Sequence, residues 1–361
     1  YNLDDIIKSR KIYKNQRKNL YIKNIRNITP VVERDANKVW VMEDDKILAK
    51  FDVSNVHGGI KYLMDGSAIF VPGRDGKITK ISLKDGRIEG EIKACVNMRN
   101  IAVSRDDKTL FATCLLPKNI VVIDTATLNP KKIIDINGTI SSLYDLYSQD
   151  KALFTLRDRA KLGILDTKKY NIVYHDLKEP FEDFFIDPFE QFIIGSSRGG
   201  KLLSVYDLKN QTYPFEYSIG GMPHLFSATY WYDNGKYYFA SPHLGQNYIS
   251  IWQMYDWKLI KQIDIGGSGF FAKTHPATPF IFADNGTDTL SLIDKKSFEV
   301  TTIRPLKGKK FNHTEFSGDG KYTYLSIYEN DGFIKVYDTK TMKELVAYPA
   351  NMPVGKYNLE P

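Results

Sequence analysis

Two cysteines in 361 residues, Cys95 and Cys114, exclude a disulfide framework. They permit one bridge, and the sequence leaves open whether it forms and which redox compartment the chain occupies. No apolar run approaches the roughly 18 residues a membrane helix needs, so no integral membrane span is expected. Helical periodicity is scarce as well, with an apolar stripe at helical spacing confined to residues 3–13. The six histidines, His57, His175, His224, His243, His275 and His313, form no pair at zinc-ligand spacing. The first residue is Tyr and not Met, which is expected of a chain whose leader has been removed or that has been cut from a longer one.

What is present fits a globular protein with a sizeable core: 42% hydrophobic, 13% aromatic and 26% charged residues exclude disorder and collagen-like classes. The net charge of +7 is unevenly placed. Residues 1–30 hold Lys8, Arg10, Lys11, Lys14, Arg17, Lys18, Lys23 and Arg26 against Asp4 and Asp5, so residues 31–361 are close to neutral. A basic excess confined to one end speaks against nucleic-acid binding, which needs a basic face. It reads as an N-terminal linker or arm, residues 1–30, able to dock an acidic partner.

A β-rich run followed by a polar turn recurs eight times, ending at Glu43, Ser82, Asp124, Asp166, Asp207, Gln253, Asp294 and Asp338, with spacings of 39 to 46 residues. That period is the length of one propeller blade. Strand-like alternation, as in Ala68-Ile69-Phe70-Val71, is punctuated by Asp65-Gly66, Asp75-Gly76, Asp85-Gly86, Asp319-Gly320 and Asp331-Gly332, which read as tight hairpin turns. The expected fold is therefore all-β, an eight-bladed β-propeller of four-stranded antiparallel blades over residues 31–361. Such a scaffold hosts many functions, and the site residues have to name this one.

A single histidine is more often a surface or satisfied core residue than a ligand. His57, followed by Gly58-Gly59, and His224, His275 and His313 fall at a comparable phase of their repeats, as residues around one cofactor would. Arg34, Lys61, Arg74 and Arg99 supply cations, and arginine suits carboxylates through its planar fork. Arg next to Asp, as in Arg34-Asp35 and Arg74-Asp75, is equally an ordinary surface pair. Imidazoles among several cations would suit an anionic metallo-cofactor.

The sequence resembles the haem d1 domain family of cytochrome cd1 nitrite reductase and the haem d1 biosynthesis proteins NirN and NirF. The resemblance rests on His57-Gly58-Gly59 through Gly73-Arg74-Asp75-Gly76-Lys77, Met98-Arg99-Asn100-Ile101, Gly221-Met222-Pro223-His224-Leu225, Pro242-His243-Leu244-Gly245, Phe270-Phe271-Ala272-Lys273-Thr274-His275-Pro276, His313-Thr314-Glu315-Phe316 and Pro353-Val354-Gly355-Lys356-Tyr357-Asn358. They occur in the family's order over nearly the whole chain.

The resemblance implies haem d1, an iron tetrapyrrole bearing several carboxylates, with His57 as the iron ligand. Arg34, Arg74 and Arg99 would bind those carboxylates, Lys61 would do so weakly, and His313 would lie beside the cofactor. Pro242-His243-Leu244-Gly245 and Lys273-Thr274-His275-Pro276 look like the motifs of the reductase's distal histidines. Reducing nitrite to nitric oxide takes protons and an electron, and two imidazoles facing a bound anion would serve as general acids. The stretches around His224 and His313, and Ala277-Thr278-Pro279-Phe280, look more like NirN and NirF. There His224 would be the base acting on a propionate of a dihydro precursor.

No Cys-x-x-Cys-His occurs, so these residues contain no c-type haem attachment motif. Residues 3–15 resemble the linker behind the reductase's cytochrome c domain. The electron partner implied is a c-type cytochrome or a missing N-terminal cytochrome c domain. The resemblance also implies a periplasmic location and allows a homodimer. Three readings stand: a haem d1 oxidoreductase of nitrite reductase type, a haem d1 biosynthesis protein acting as dehydrogenase or carrier, and a non-enzymatic platform with degenerate motifs.

Overall fold

The computed structural model describes residues 1–14, 17–199 and 202–359. Among these, strands form eight antiparallel sheets, six of four strands and two of five. The chain divides into two compact units, Tyr1–Glu182 with Tyr357–Pro361, and Asp183–Lys356.

The sequence repeat falls on one strand of every sheet. Lys38–Glu43, Lys77–Ser82, Lys118–Asp124, Arg159–Asp166, Leu202–Asp207, Tyr248–Gln253, Leu290–Asp294 and Gly332–Asp338 end on the eight residues that marked the period. The recurring Asp has a local cause. Its carboxylate accepts the backbone N–H groups two and three residues on, as Asp166 does from Lys168 and Lys169 at 2.9 and 2.8 Å and Asp207 does from Lys209 and Asn210 at 2.9 and 2.8 Å. This is the Asx-turn preference of aspartate, and it starts the turn to the outermost strand.

In the first unit the strands bury Phe70, Ile78, Ile92, Ile101, Leu110 and Val121 in one cluster. The expected arm at residues 1–30 proves partly built into this unit. Asn2 caps the helix Leu3–Ser9 through a capping box with Asp5. Ile6 on that helix is fully buried in the same cluster. Lys11–Ile12 then pairs antiparallel with Arg87–Lys93, Lys11 opposite Glu91, which makes that sheet five-stranded. The next strand, Ile28–Glu33, crosses the expected boundary at 31. Asn15, the last residue of the stretch resembling a linker, lies outside the described residues.

Cys95 and Cys114, both buried, form a disulfide. It ties the segment leading into Asn97–Val103, which carries Arg99, to the neighbouring strand Thr109–Leu116.

In the second unit two irregularities place histidines. Met222–Pro223 and Thr229–Asp233 pair with opposite ends of the long strand Lys236–Leu244, and the 3-10 turn Leu225–Ser227 bulges out between them directly after His224. Pairing of Phe311–Phe316 with Tyr322–Ile327 slips between Asn312 and Glu315, and His313 in that bulge has φ of 52°. Positive φ is uncommon for any residue but glycine and is held only where the surroundings impose it.

Alkylation under denaturing, non-reducing conditions is expected to label no cysteine, and two after reduction. Replacing both cysteines by serine should lower unfolding stability by about 2–4 kcal/mol, read from denaturant titration.

Candidate functional site

In the first unit, His57 lies in the connection between the outermost strand Lys46–Asp52 and Lys61–Tyr62. Its ring is accessible at the surface yet crowded by protein. That desolvation, followed by the charges of Arg74, Arg34 and Arg99, pushes its pKa down to about 4. At neutral pH it is an uncharged imidazole with a lone pair to give. Gly58 and Gly59 next to it have φ of 149° and 76°, and a side chain on Gly58 would collide with the Tyr357 hydroxyl. The Gly59 N–H donates to that hydroxyl at 2.7 Å, so the chain's last segment braces the His57 loop.

The arginines reach this neighbourhood by a shared device. Arg34-Asp35, Arg74-Asp75 and Arg157-Asp158 each stand in the turn just before the recurring strand of their sheet. Two of the aspartates hold their turns: Asp75 accepts from Ser54 Oγ at 2.5 Å, and Asp158 accepts from the Thr139 N–H at 2.8 Å. Burial and then the charge of Arg157 push the Arg74 pKa down. Arg157, which faces Glu182 at 3.4 Å, was not among the expected residues. The sequence held the signal, since the Arg-Asp step repeats at one phase. Arg99 comes from the strand Asn97–Val103, where its Nε donates to the Ser141 carbonyl.

The Lys61 ammonium pairs with Asp145 at 3.1 Å, and although burial opposes it, Asp145 and the nearby Tyr147 and Tyr357 hold its pKa above the usual lysine value. Arg34 likewise faces Asp35 at 2.8 Å and Arg157 faces Glu182, so an ion partner does not set Lys61 apart from the arginines.

In the second unit, His224 and His313 gather around Phe270-Phe271. His224 Nδ1 lies 2.5 Å from the Phe270 carbonyl oxygen and 2.9 Å from Ser227 Oγ. A carbonyl only accepts, so Nδ1 carries the proton and Nε2 is the basic nitrogen of the neutral ring. The Phe271 ring lies 4.8 Å from His313 and 6.0 Å from His224, centroid to centroid. Burial, with the charges of Lys356 and Lys273, pushes the His313 pKa well below its ordinary value. Both rings belong to one small cluster, with His313 kept neutral by its burial.

His243 and His275 do not join it. His243 is fully buried, its Nδ1 donating to the Gly220 carbonyl at 3.0 Å and its Nε2 accepting from Ser250 Oγ at 2.7 Å. Burial pushes its pKa down to about 4 against the pull of Gly220 and Gly221. A ring with both nitrogens engaged and no charge at neutral pH is a core histidine and not a general acid. His275 sits at the far end of Ala272–Lys273 from Phe271, in the turn toward Phe280–Asp284. There its Nδ1 accepts from the Ala277 N–H at 3.0 Å and its ring packs on Phe316 and against Gly320. The motifs around both residues serve turns and packing, so the geometry gives no paired distal acids.

A family and a solved fold correspond to this arrangement. The sequence pattern of the cytochrome D1 heme domain matches residues 23–360. A dihydro-heme d1 dehydrogenase of Pseudomonas aeruginosa is 31% identical over 350 residues, covering 92% of this chain and 71% of that protein. A nitrite reductase of Stutzerimonas stutzeri is 20% identical over 396 residues, covering 93% and 71%. Among solved structures, the dihydro-heme d1 dehydrogenase NirN in complex with DHE superposes with a TM-score of 0.94 at 29% identity, covering 99% of this chain and 82% of that one. The eight sheets are thus the blades of an all-β, eight-bladed propeller, as the repeat predicted. The chain belongs to the cytochrome D1 heme domain family.

The first unit's donor set fits the family's cofactor: a neutral imidazole can ligate iron, and arginines whose charges repel one another favour a ligand with several carboxylates.

A His57 pKa near 4 means that the unfolded chain binds this proton first as the pH falls from about 6.5, so the group costs stability on acidification and nothing above neutrality. An imidazole NMR titration should show His57 neutral down to pH near 5, and Arg74→Gln should move its midpoint upward. A His57 midpoint at the free value in the unmodified protein would contradict the charge crowding.

Proposed function

We propose that this protein is a haem d1-dependent oxidoreductase of the biosynthetic branch, oxidising dihydro-haem d1 to haem d1. The observation that carries the reading is the presence, beside a neutral imidazole at His57 with arginines near it, of a separate His224/His313 cluster in which burial keeps His313 neutral and His224 holds its Nδ1 proton on a carbonyl, where nitrite reduction would ask for proton donors. An identity of 31% to a dihydro-heme d1 dehydrogenase against 20% to a nitrite reductase, and the fold match to NirN, support it. The reductase reading, favoured by the His243 and His275 motifs, loses that support in the structure.

In this reading the tetrapyrrole is the substrate, and its iron and conjugated ring would supply a route for the electrons. His57 would hold the iron through its neutral ring, and Arg34, Arg74, Arg99 and Arg157 would fix the carboxylates and hence the orientation. Dehydrogenation of a saturated side chain removes two protons and two electrons. His313, kept neutral by burial, or His224 at its Nε2 takes one proton, and the other leaves to solvent. The two electrons pass singly to a c-type cytochrome, on a separate chain or in a neighbouring domain. A periplasmic location follows from the same reading, and the Cys95–Cys114 disulfide supports an oxidising compartment.

The test offers dihydro-haem d1 with an electron acceptor and follows the visible spectrum. Conversion to haem d1 is expected, with stoichiometric tetrapyrrole binding lost in His57→Ala. Reduced, haem d1-loaded protein should form no nitric oxide from nitrite. Unchanged precursor, or nitrite turnover, would overturn the assignment.

A further inference from the structure

A buried carboxylate in the second unit has no part in the proposed dehydrogenation, yet it holds the segment that both histidines lie against. Asp284 ends the strand Phe280–Asp284 and is 3% exposed. Its Oδ1 accepts the backbone N–H of Phe270 at 2.6 Å and of Phe271 at 3.3 Å. Its own N–H donates to the Phe271 carbonyl at 3.1 Å. The loop is laid so tightly on this strand end that a Cβ on Gly269 would come within 2.0 Å of the Asp284 carbonyl oxygen.

From there the connection to the histidines is direct. The Phe270 carbonyl accepts from His224 Nδ1, and the Phe271 ring lies against His313. His313 itself has a positive φ, a conformation its surroundings must impose, and the Phe271 ring is part of those surroundings. Burial raises the Asp284 pKa to about 6, while the Phe270 and Phe271 N–H groups and the nearby Lys356 ammonium favour the carboxylate. Lys356 is itself buried, donating to Ser326 Oγ and to the Val354 carbonyl.

We propose that Asp284 is the positioning residue of the His224/His313 pair: one buried carboxylate fixes the Phe270-Phe271 segment, whose carbonyl takes the His224 hydrogen bond and whose ring packs on His313, and so sets where both imidazoles point. It touches no substrate and acts through the two histidines. The role rests on the proposed dehydrogenation, but the arrangement it fixes exists without substrate and is measured without it.

The experiment compares Asp284→Ala, Asp284→Asn and Gly269→Ala with the unmodified protein. Asparagine keeps an acceptor oxygen for the N–H groups and alanine keeps none. Gly269→Ala leaves the carboxylate in place and pushes the loop off it. In the substrate-free protein, the ring NMR signals of His224 and His313 should shift in Asp284→Ala and in Gly269→Ala and stay near their native positions in Asp284→Asn. In turnover, the two alanine variants should lose about tenfold to a hundredfold in kcat, the scale of a misplaced catalytic group, with KM changed by less than about threefold. Asp284→Asn should recover most of the loss. Native histidine signals in Asp284→Ala, or an asparagine variant as impaired as the alanine one, would overturn the proposal. Should Asp284→Ala not fold, native signals and kcat in Gly269→Ala overturn it alone. Absence of any turnover in the unmodified protein would sink the proposed reaction and leave the histidine signals to judge Asp284.

Discussion

Positive charge crowded into one neighbourhood organises the first unit. Arg34, Arg74 and Arg99 act on His57, and Arg157 acts on Arg74. Such crowding costs free energy in the empty protein and is relieved when an anion enters, which makes it a device for binding and not for stability. Burial acts first on His57, and the cations near it add to that, excluding a further proton and keeping its lone pair for a metal. Asp75 and Asp158 take hydrogen bonds from Ser54 and Thr139 in other connections, which sets the turns of Arg74 and Arg157 in place. Arg34, Arg157 and Lys61 each face a carboxylate, Asp35, Glu182 and Asp145, whereas Arg74 lies under the charge of Arg157.

The second unit works through shape where the first works through charge. Its histidines are placed by departures from regular strand geometry, a 3-10 turn at Leu225–Ser227 and a bulge at His313. Regular pairing would have directed these side chains into the sheet packing that holds His243. Bulges re-aim side chains in this way near functional sites.

How much could be read from the sequence differs by kind of signal. The repeat was legible to the residue, because the aspartate closing the recurring strand performs a local task in the turn, and local tasks leave local patterns. The cation set was legible for the same reason, and Arg157 too once the Arg-Asp step is followed through the sheets. Exposure and direction were not. The motifs around His243 and His275 look like sites because they are regular and histidine-bearing, but whether a ring is sealed by Gly220 and Ser250 or opens toward a ligand depends on strands distant in sequence. The same holds for Asp284, an ordinary strand end until the loop at Gly269 is seen to lie on it. The pairing of Cys95 with Cys114, left open by counting, was settled by two strands meeting.

The N-terminal segment carries a consequence of another kind. Arg87–Lys93 is an outermost strand, and an outermost strand offers a row of unpaired N–H and C=O groups to any extended chain that approaches it. Lys11–Ile12 occupies part of that row, Ile6 anchors the occupant in the core, and the charges of Lys8 and Lys11 stand guard over what is left. The basic residues that announce a partner in the sequence thus also ward off unwanted ones, protecting the blade against edge-to-edge aggregation.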